Sequence, residues 1–412
     1  MLQGKHILVG ISGGIAAYKI PELIRSLVKE GAEVKVATTQ NALQFVTELT
    51  LQTVSGSSVY SDVFAAINSH ATEHISLPEW CDAMIVAPAT ANVLAKMANG
   101  IADDALTTTI CSCVARKPIV VAPAMNDKMW ENPATQQAIA TIRTWKNVRV
   151  IEPAEGLLAC GTSGKGRMPE IEELQEALEY ALTPQTMKGQ RVLITAGGTQ
   201  EPIDPVRFIS NYSTGKMGFS LAHACARRGA EVTLVCASVT AQLRNPFGAI
   251  RCIDAMSAQA MYEVCMNEWP QHTAAILSAA VADFTPEHVA ENKIKKEDVV
   301  GRSSLVVGQP SVLSLPLTET KDIARALGES KQADQRLIGF ALETQHEKEN
   351  ALRKMERKHL DAIILNSLRD KGAGFSVDTN IVTILQSDGT VTALPLQTKA
   401  LISEEILRVL FS

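Results

Sequence analysis

Short, uninterrupted apolar runs alternate along the whole chain with longer stretches in which apolar residues recur at helical spacing. Residues 6–9, 34–37, 84–87 and 119–122 are runs of the first kind, as are 191–195, 232–236, 275–277, 337–340 and 362–365. A strand with no polar face needs cover on both sides, and the helical stretches between the runs supply it. The alternation predicts parallel βαβ units throughout. The rhythm breaks at Thr183-Pro184-Gln185-Thr186-Met187-Lys188-Gly189, after a helical pattern at 171–182 and before the run at 191–195. A 412-residue chain also exceeds what one hydrophobic core ordinarily serves, so two α/β domains are predicted, 1–185 and 186–412.

The two halves open alike. Ile7-Leu8-Val9 and Val192-Leu193-Ile194 each lead into a glycine turn, and Gly-Ala-Glu-Val recurs at 31–34 and 229–232. The glycine of that repeat suits a helix C′ position before a second strand, and two βαβ openings obeying the same physics account for so short an echo. In the first half the turn is Gly10-Ile11-Ser12-Gly13-Gly14-Ile15-Ala16; in the second it is Gly197-Gly198-Thr199. A glycine turn between a strand and a helix aims free N–H groups and the positive helix end at an incoming anion. Neither turn has GxGxxG spacing. Neither second strand ends in the acid that holds a dinucleotide ribose: one ends in Thr38-Thr39, the other in Cys236-Ala237-Ser238. NAD is disfavoured and a mononucleotide such as FMN stays open.

Composition narrows the partners. A net charge of −5 offers no general attraction to nucleic acid or an anionic membrane, which leaves small-molecule chemistry as the default. Eight scattered cysteines without a CxxC pair indicate neither a zinc site nor a disulfide framework, and fit reduced thiols in the cytoplasm. The apolar stretch at 7–17 is interrupted by Ser12-Gly13-Gly14 and followed by Lys19 and Pro21, unlike a signal sequence, and no uncharged run is long enough to span a membrane.

Two motifs are less generic. Pro123-Ala124-Met125-Asn126-Asp127-Lys128-Met129-Trp130 and Ala87-Pro88-Ala89-Thr90-Ala91-Asn92 both follow buried strands, where open α/β sheets bind ligands. With them the chain resembles, over nearly all its length, the bifunctional phosphopantothenoylcysteine decarboxylase and phosphopantothenate-cysteine ligase family of bacterial coenzyme A synthesis. The first motif is specific to its flavin-dependent cysteine decarboxylases. The resemblance implies a flavodoxin-like or Rossmann-like flavoprotein (HFCD family) domain followed by a Rossmann-like ligase domain. It also implies that FMN oxidises the substrate thiol to a thioaldehyde, which accepts the electrons freed by decarboxylation; the enethiol so formed is reduced back, with no net redox change.

By matching motif, the resemblance assigns His74 as the base for thiol oxidation, Asn126 as a hydrogen-bond partner of the substrate carboxylate, and Cys160 as the proton donor to the enethiol. The residue types suit these roles, since a histidine is partly neutral near pH 7, an amide holds a carboxylate without opposing its departure, and a thiol stays mostly protonated. Ser12, Gly13, Gly14, Thr38, Ala87, Pro88, Ala89, Thr90 and Met125 are implied to border the FMN.

In the second half, Ile209-Ser210-Asn211-Tyr212-Ser213-Thr214-Gly215-Lys216-Met217-Gly218 precedes a helical pattern at 219–228 and matches the ligase signature, with Arg207 ahead of it as a substrate residue. The resemblance implies that CTP and Mg²⁺ convert the phosphopantothenate carboxylate to an acyl-cytidylate that L-cysteine then attacks. Asn211 would hold the acyl-cytidylate and Lys293 the phosphates. Ser278, Ala279, Asp283, Asp322, Ile323, Phe340, Lys354 and Lys358 would complete the CTP site. Without the resemblance, the lysines at 293–296 read as a solvated basic loop; with it, as a lid over CTP. One departure weakens the nucleotide preference: Thr320-Lys321 stands where many relatives have Asn-Pro. The resemblance further implies a homo-oligomer of first-half trimers and second-half dimers, up to a dodecamer. The rival readings are a flavin-binding regulatory protein without turnover and a monofunctional decarboxylase with a degenerate second half. The first ordinarily lacks the base or the proton donor, the second Asn211 or Lys293, and all four residues are present.

Overall fold

Apolar runs become strands where both faces of the backbone find cover. The computed structural model describes residues 2–411 apart from 65–71, 158–162, 241, 242, 244, 246, 296–313, 344, 345 and 368–376. The chain clusters into two units, 1–184 with 244–248, and 185–243 with 249–412.

In the first unit, β1 (His6–Ile11), β2 (Glu33–Thr38), β3 (Val59–Tyr60), β4 (Ala83–Ala89), β5 (Ile119–Pro123) and β6 (Val148–Val150) form a parallel sheet in the order β3-β2-β1-β4-β5-β6. Parity along a strand sorts its side chains. Ile7, Val9 and Ile11 join Leu23, Ile24 and Leu27 of helix Ile20–Lys29 and Leu174 of helix Ile171–Leu182. Leu8 lies in the opposite core with Met84, Val86, Leu94 and Ile110. An antiparallel hairpin, β7 (Ala154–Leu157) with β8 (Ser163–Arg167), completes the unit's strands among the described residues.

The second unit repeats the plan. Two short hairpin strands, β10 (Glu201–Pro202) and β11 (Phe208–Ile209), follow β9 (Arg191–Ala196). Then come β12 (Glu231–Cys236), β13 (Ile250–Asp254), β14 (Ala274–Leu277), the pair β15 (Phe284–Pro286) and β16 (Leu317–Glu319), β17 (Arg336–Glu343) and β18 (Ala362–Ser367). The order β13-β12-β9-β14-β17-β18 matches that of the first sheet and is likewise parallel, and the antiparallel β19 (Thr379–Gln386) and β20 (Val391–Thr398) extend it.

The expected runs all lie inside strands, whereas β3, β6, β13, β19 and β20 have no counterpart in the expected set. The edge strand β13 is largely exposed and needs no apolar run, and β19, inside the sheet between β18 and β20, alternates buried with half-buried positions, so polar residues such as Thr383 interrupt its run. The helix expected at 219–228 begins earlier, at Lys216, because Gly215 in the left-handed conformation caps it (Lys216–Arg227). No helix among the described residues is long and apolar enough to cross a membrane.

The C-terminal helix Lys399–Leu410 is held against helix Lys216–Arg227 by charge as well as by apolar packing. Arg227 Nη2 donates to Glu404 Oε1 at 2.9 Å and Arg228 pairs with the other oxygen; all three groups are largely buried. Removing the carboxylate takes a shared counter-charge away from two largely buried cations. Glu404→Ala is expected to cost about 3–5 kcal/mol, measured as a lower urea midpoint for the unit that contains it.

Candidate functional sites at the two sheet reversals

Strand order runs one way from β1 to β3 and the other way from β4 to β6, so the loops leaving β1 and β4 diverge and leave a crevice at their carboxyl ends. A cavity of about 980 Å³ opens there, lined by Gly13 and Gly14, by Thr39, Gln40 and Asn41 after β2, by Thr90, Asn92 and Val93 after β4, by Met125 and Asn126 after β5, and by Gly166 and Arg167 of β8.

One hydroxyl ties the reversal together. Ser12 Oγ donates to Pro88 O at 2.7 Å and accepts the Thr90 N–H at 3.0 Å. Gly13 has no room for a side chain, because an added Cβ would lie 2.5 Å from Asn41 Cβ. Thr90 caps helix Ala91–Asn99 through the Val93 N–H. Asn126 caps the short helix Asp127–Trp130, its Oδ1 accepting the Lys128 N–H at 3.0 Å, which sets the plane of its amide at the cavity wall. The hairpin β7–β8 lies against this segment: Met125 N–H donates to Gly166 O at 2.9 Å, and a Cβ on Gly166 would overlap Met125 O.

Of the residues expected around a flavin, Gly13, Gly14, Thr90, Met125 and Asn126 line the cavity. Ser12, Thr38, Ala87, Pro88 and Ala89 are buried and outside its lining, and the Thr38 hydroxyl has no hydrogen-bond partner among the described residues. His74 is half-buried on the first turn of helix Glu73–Trp80 and is not in the lining. Cys160 falls between β7 and β8, outside the described residues. Unforeseen in the lining are Thr39, Gln40 and Asn41, and the cations Lys19, Lys96 and Arg167. Lys96 pairs with Asp103 at 2.5 Å and Asp104 at 3.1 Å; Lys19 and Arg167 share Glu170. Thr39-Gln40-Asn41 directly follows a parallel strand's carboxyl end, the one signal that could have found it.

The second cavity, about 480 Å³, occupies the equivalent reversal between β9 and β14. Its turns are knitted by backbone: Thr199 N–H donates to Ala280 O at 3.2 Å and Ala280 N–H to Gly197 O at 2.9 Å. Thr199 Oγ1 accepts the Ala282 N–H at 2.9 Å, and Ser278 Oγ donates to Thr195 O at 2.6 Å. Asn211 is built into this frame. Its Nδ2 donates to Ala280 O at 2.5 Å, its Oδ1 accepts the Ser213 N–H at 3.0 Å, and the amide packs on Gly198 so closely that any Cβ there would collide with it.

Asn211, Ser278, Ala279, Asp283 and Phe340 line this cavity as expected. Arg207 and Lys293 do not, although they are neighbours. Asp204 accepts from Arg207 Nε at 2.9 Å and from the Ile294 N–H at 3.2 Å, while Arg207 Nη2 donates to Ile294 O at 2.6 Å, which leaves Lys293 exposed beside this clamp. Burial favours a protonated Asp204, but hydrogen bonds from Val206 N–H, the Arg207 guanidinium, Ile294 N–H and Arg207 N–H outweigh it and bring the carboxyl to about 2. Asp322 caps helix Ile323–Glu329 through the Arg325 N–H and pairs with Lys358 at 3.0 Å; Ile323 is buried and Lys354 half-buried on helix Glu347–Arg357. None of these four lines the cavity. The departing Thr320 donates from Oγ1 to Ala282 O at 2.6 Å, and Lys321 sits over the Tyr262 ring. The cavity also takes Lys216, Asn366, Asn380 and Lys399, which sequence reasoning did not assign. Asn366 stands next to the last residue of β18 at the same carboxyl edge of the sheet, whereas Asn380 and Lys399 arrive through the unforeseen extension.

The family described as Flavoprotein matches residues 1–182, and the DNA/pantothenate metabolism flavoprotein C-terminal domain matches 187–412. The Coenzyme A biosynthesis bifunctional protein CoaBC of Bacillus subtilis (strain 168) is 44% identical over 411 residues, 99% of this chain and 97% of that protein. A cysteine/cysteine sulfinic acid decarboxylase from an unknown prokaryotic organism is 44% identical over 368 residues, 88% of this chain and 98% of that protein. A crystal structure of the C-terminal domain of a CoaBC protein superposes with a TM-score of 0.44 at 36% identity, covering 55% of this chain and 96% of that one. On the two family matches and the near full-length relatives, the chain belongs to the bifunctional coenzyme A biosynthesis proteins, with a flavoprotein decarboxylase half followed by a ligase half.

Proposed function

We propose that residues 186–412 join 4′-phosphopantothenate to L-cysteine using CTP and Mg²⁺, and that residues 1–185 decarboxylate the product to 4′-phosphopantetheine with FMN, in the cytoplasm. What carries this reading is that each unit has its own cavity at a sheet reversal, bordered by the motif belonging to its reaction.

The first cavity suits FMN. Gly13 and Gly14 admit close approach, the Thr90-capped helix offers N–H groups to a phosphate, and about 980 Å³ falls in the usual range of ligand pockets, roughly 300–1,000 Å³. Bound FMN supplies reversible two-electron chemistry at the thiol-bearing carbon, which gives the departing carboxylate's electrons somewhere to go. Asn126, its amide plane set by the helix it caps, hydrogen-bonds that carboxylate. The role of Cys160 as donor of the last proton stands on its motif, the residue lying outside the described ones. The base role of His74 stands on its motif alone.

In the second cavity the phosphopantothenate carboxylate attacks the α-phosphorus of CTP, pyrophosphate leaves, and the cysteine amine then displaces CMP from the acyl-cytidylate. Asn211 is rigid enough to hold that intermediate. Asp283 is the carboxylate in the lining, and Mg²⁺ on a triphosphate typically needs only one or two. The phosphate role of Lys293 and the substrate role of Arg207 stand on their motifs; Arg207 is bound to Asp204 and Ile294 O, and both residues lie outside the cavity lining. Exposed Phe208 and Tyr212 beside the clamp offer apolar surface for a contact between second halves; the homo-oligomer of first-half trimers and second-half dimers, up to a dodecamer, rests on the family resemblance.

Anaerobic incubation with phosphopantothenate, cysteine and CTP, followed by mass, is expected to show phosphopantothenoylcysteine and then phosphopantetheine, with pyrophosphate released only when phosphopantothenate is present. A response to ATP alone would sink the nucleotide assignment, and carbon dioxide from free cysteine alone would favour the cysteine decarboxylase relative. Gly13→Ala must push Asn41 aside; it is expected to purify with its visible flavin absorbance lost or greatly reduced. Because folding lowers the Asp204 carboxyl from 3.8 to about 2, its contribution to stability is complete above pH 3.8 and fades as pH falls toward 2. In Asp204→Asn, the urea midpoint of the second unit is expected to be lower near neutrality and to fall less steeply across that window than in the unaltered protein.

A further inference from the structure

Resting on the ligase reading of the second cavity, we propose that Lys216 and Lys399 form an anion subsite in its wall that holds a phosphate group of one of the two phosphorylated substrates. Both line the cavity, which contains one acidic lining residue, Asp283. Lys399 is only 6% exposed, and its ammonium donates to Val377 O at 2.6 Å. It stands at the first position of helix Lys399–Leu410, at the positive end of the helix dipole. Burial and the nearby Lys216 ammonium depress its pKa, against the opposing pull of Asp378. Burial, a like charge and a helix start all disfavour a cation at this position, where an apolar side chain of similar length would carry none of these costs. A charge kept against such terms in the wall of a cavity marks a site for an opposite charge.

The local acid does not cancel the pair. Asp378 accepts from Lys216 Nζ at 2.6 Å, but its side chain is 83% exposed, so the pairing contributes little and a ligand oxygen can take its place. Asn366 and Asn380, joined by a hydrogen bond of 3.3 Å, add neutral amides to the same lining. Two ammonium groups with amides beside them fit the several acceptor oxygens of a phosphate better than the planar pair of a carboxylate. The phosphate can be the nucleotide's triphosphate or the phosphomonoester of phosphopantothenate.

The test uses the full-length protein, measuring the dissociation constant for CTP and the KM for phosphopantothenate, with cytidine and pantothenate as controls lacking phosphate. Lys399→Met and Lys216→Met are each expected to weaken one phosphorylated ligand by about 10- to 100-fold, the scale of a lost charge-assisted hydrogen bond, and to leave both controls unchanged. A loss confined to CTP assigns the triphosphate, a loss confined to phosphopantothenate assigns the phosphomonoester, and either supports the subsite. Lys399→Arg, which keeps the charge, is expected to recover much of the affinity. If Lys399→Met does not fold, Lys216→Met and Lys399→Arg carry the comparison. Folded variants with both constants unchanged, or an equal loss for the phosphate-free controls, overturn the subsite while the ligase reading stands. An unaltered protein that binds neither phosphorylated ligand and makes no product overturns the ligase reading itself.

Discussion

Everything in this molecule depends on the reversal of strand order beside the first strand of each sheet. A parallel strand sends its chain out at the carboxyl end, and where neighbours turn to opposite faces no loop can close the gap between them. In the first unit the side-chain-free turn Gly13-Gly14 borders that gap; in the second, the turn Gly197-Gly198 is covered by Asn211, whose amide stands in the cavity wall. Cavities that could take a ligand are thus a product of topology before any side chain is placed, and the same order of six parallel strands yields one in each half.

A crevice becomes a site when its walls stop moving relative to each other. Each half solves this with a buried hydroxyl-bearing residue next to a glycine turn: Ser12 bridges to Pro88 and Thr90 in the first, Thr199 bridges to Ala280 and Ala282 in the second. The asparagines are then fixed by local backbone donors, Asn126 by Lys128 N–H and Asn211 by Ser213 N–H. An amide held this way loses little further freedom on meeting a ligand, which is how a weak hydrogen-bonding group becomes a useful one.

Much of this was legible in the sequence, for identifiable reasons. Central strands such as β4 and β9 are buried over most of their length, so their apolar runs stand out, and the turns after β1 and β9 are punctuated by glycine. Asn126 stands just past the carboxyl end of β5 and Asn211 just ahead of the turn at Gly215, each inside a motif that stands out in the sequence, and each lines a cavity. Distance in sequence defeated the rest. Asp322 and Lys358 carry motif assignments, yet side-chain geometry commits them to each other and to a helix cap. Lys399 reaches the second cavity only through β19 and β20, whose mixed polarity left no run to read. Cavity membership there depends on tertiary pairing, which a local pattern does not encode.

The charge of the chain shows how local fields override net charge. With −5 overall the protein has no general pull on polyanions, yet its cavities expose Lys19, Lys96 and Arg167 in one half and Lys216 and Lys399 in the other. Most of these cations are leashed to an acid outside the lining, Lys19 and Arg167 to Glu170 and Lys216 to Asp378, while Lys96 is shared between Asp103 outside it and Asp104 within it. At an exposed position such a pair adds little stability, but it holds a long side chain in one place and lowers the cost of keeping cations together while no ligand is present. Lys399 is held differently, buried and with its ammonium donating to a backbone carbonyl. A cation that cannot relax into solvent keeps its field in the cavity whether or not a ligand is bound, which is the form of preorganisation that phosphoryl chemistry rewards most.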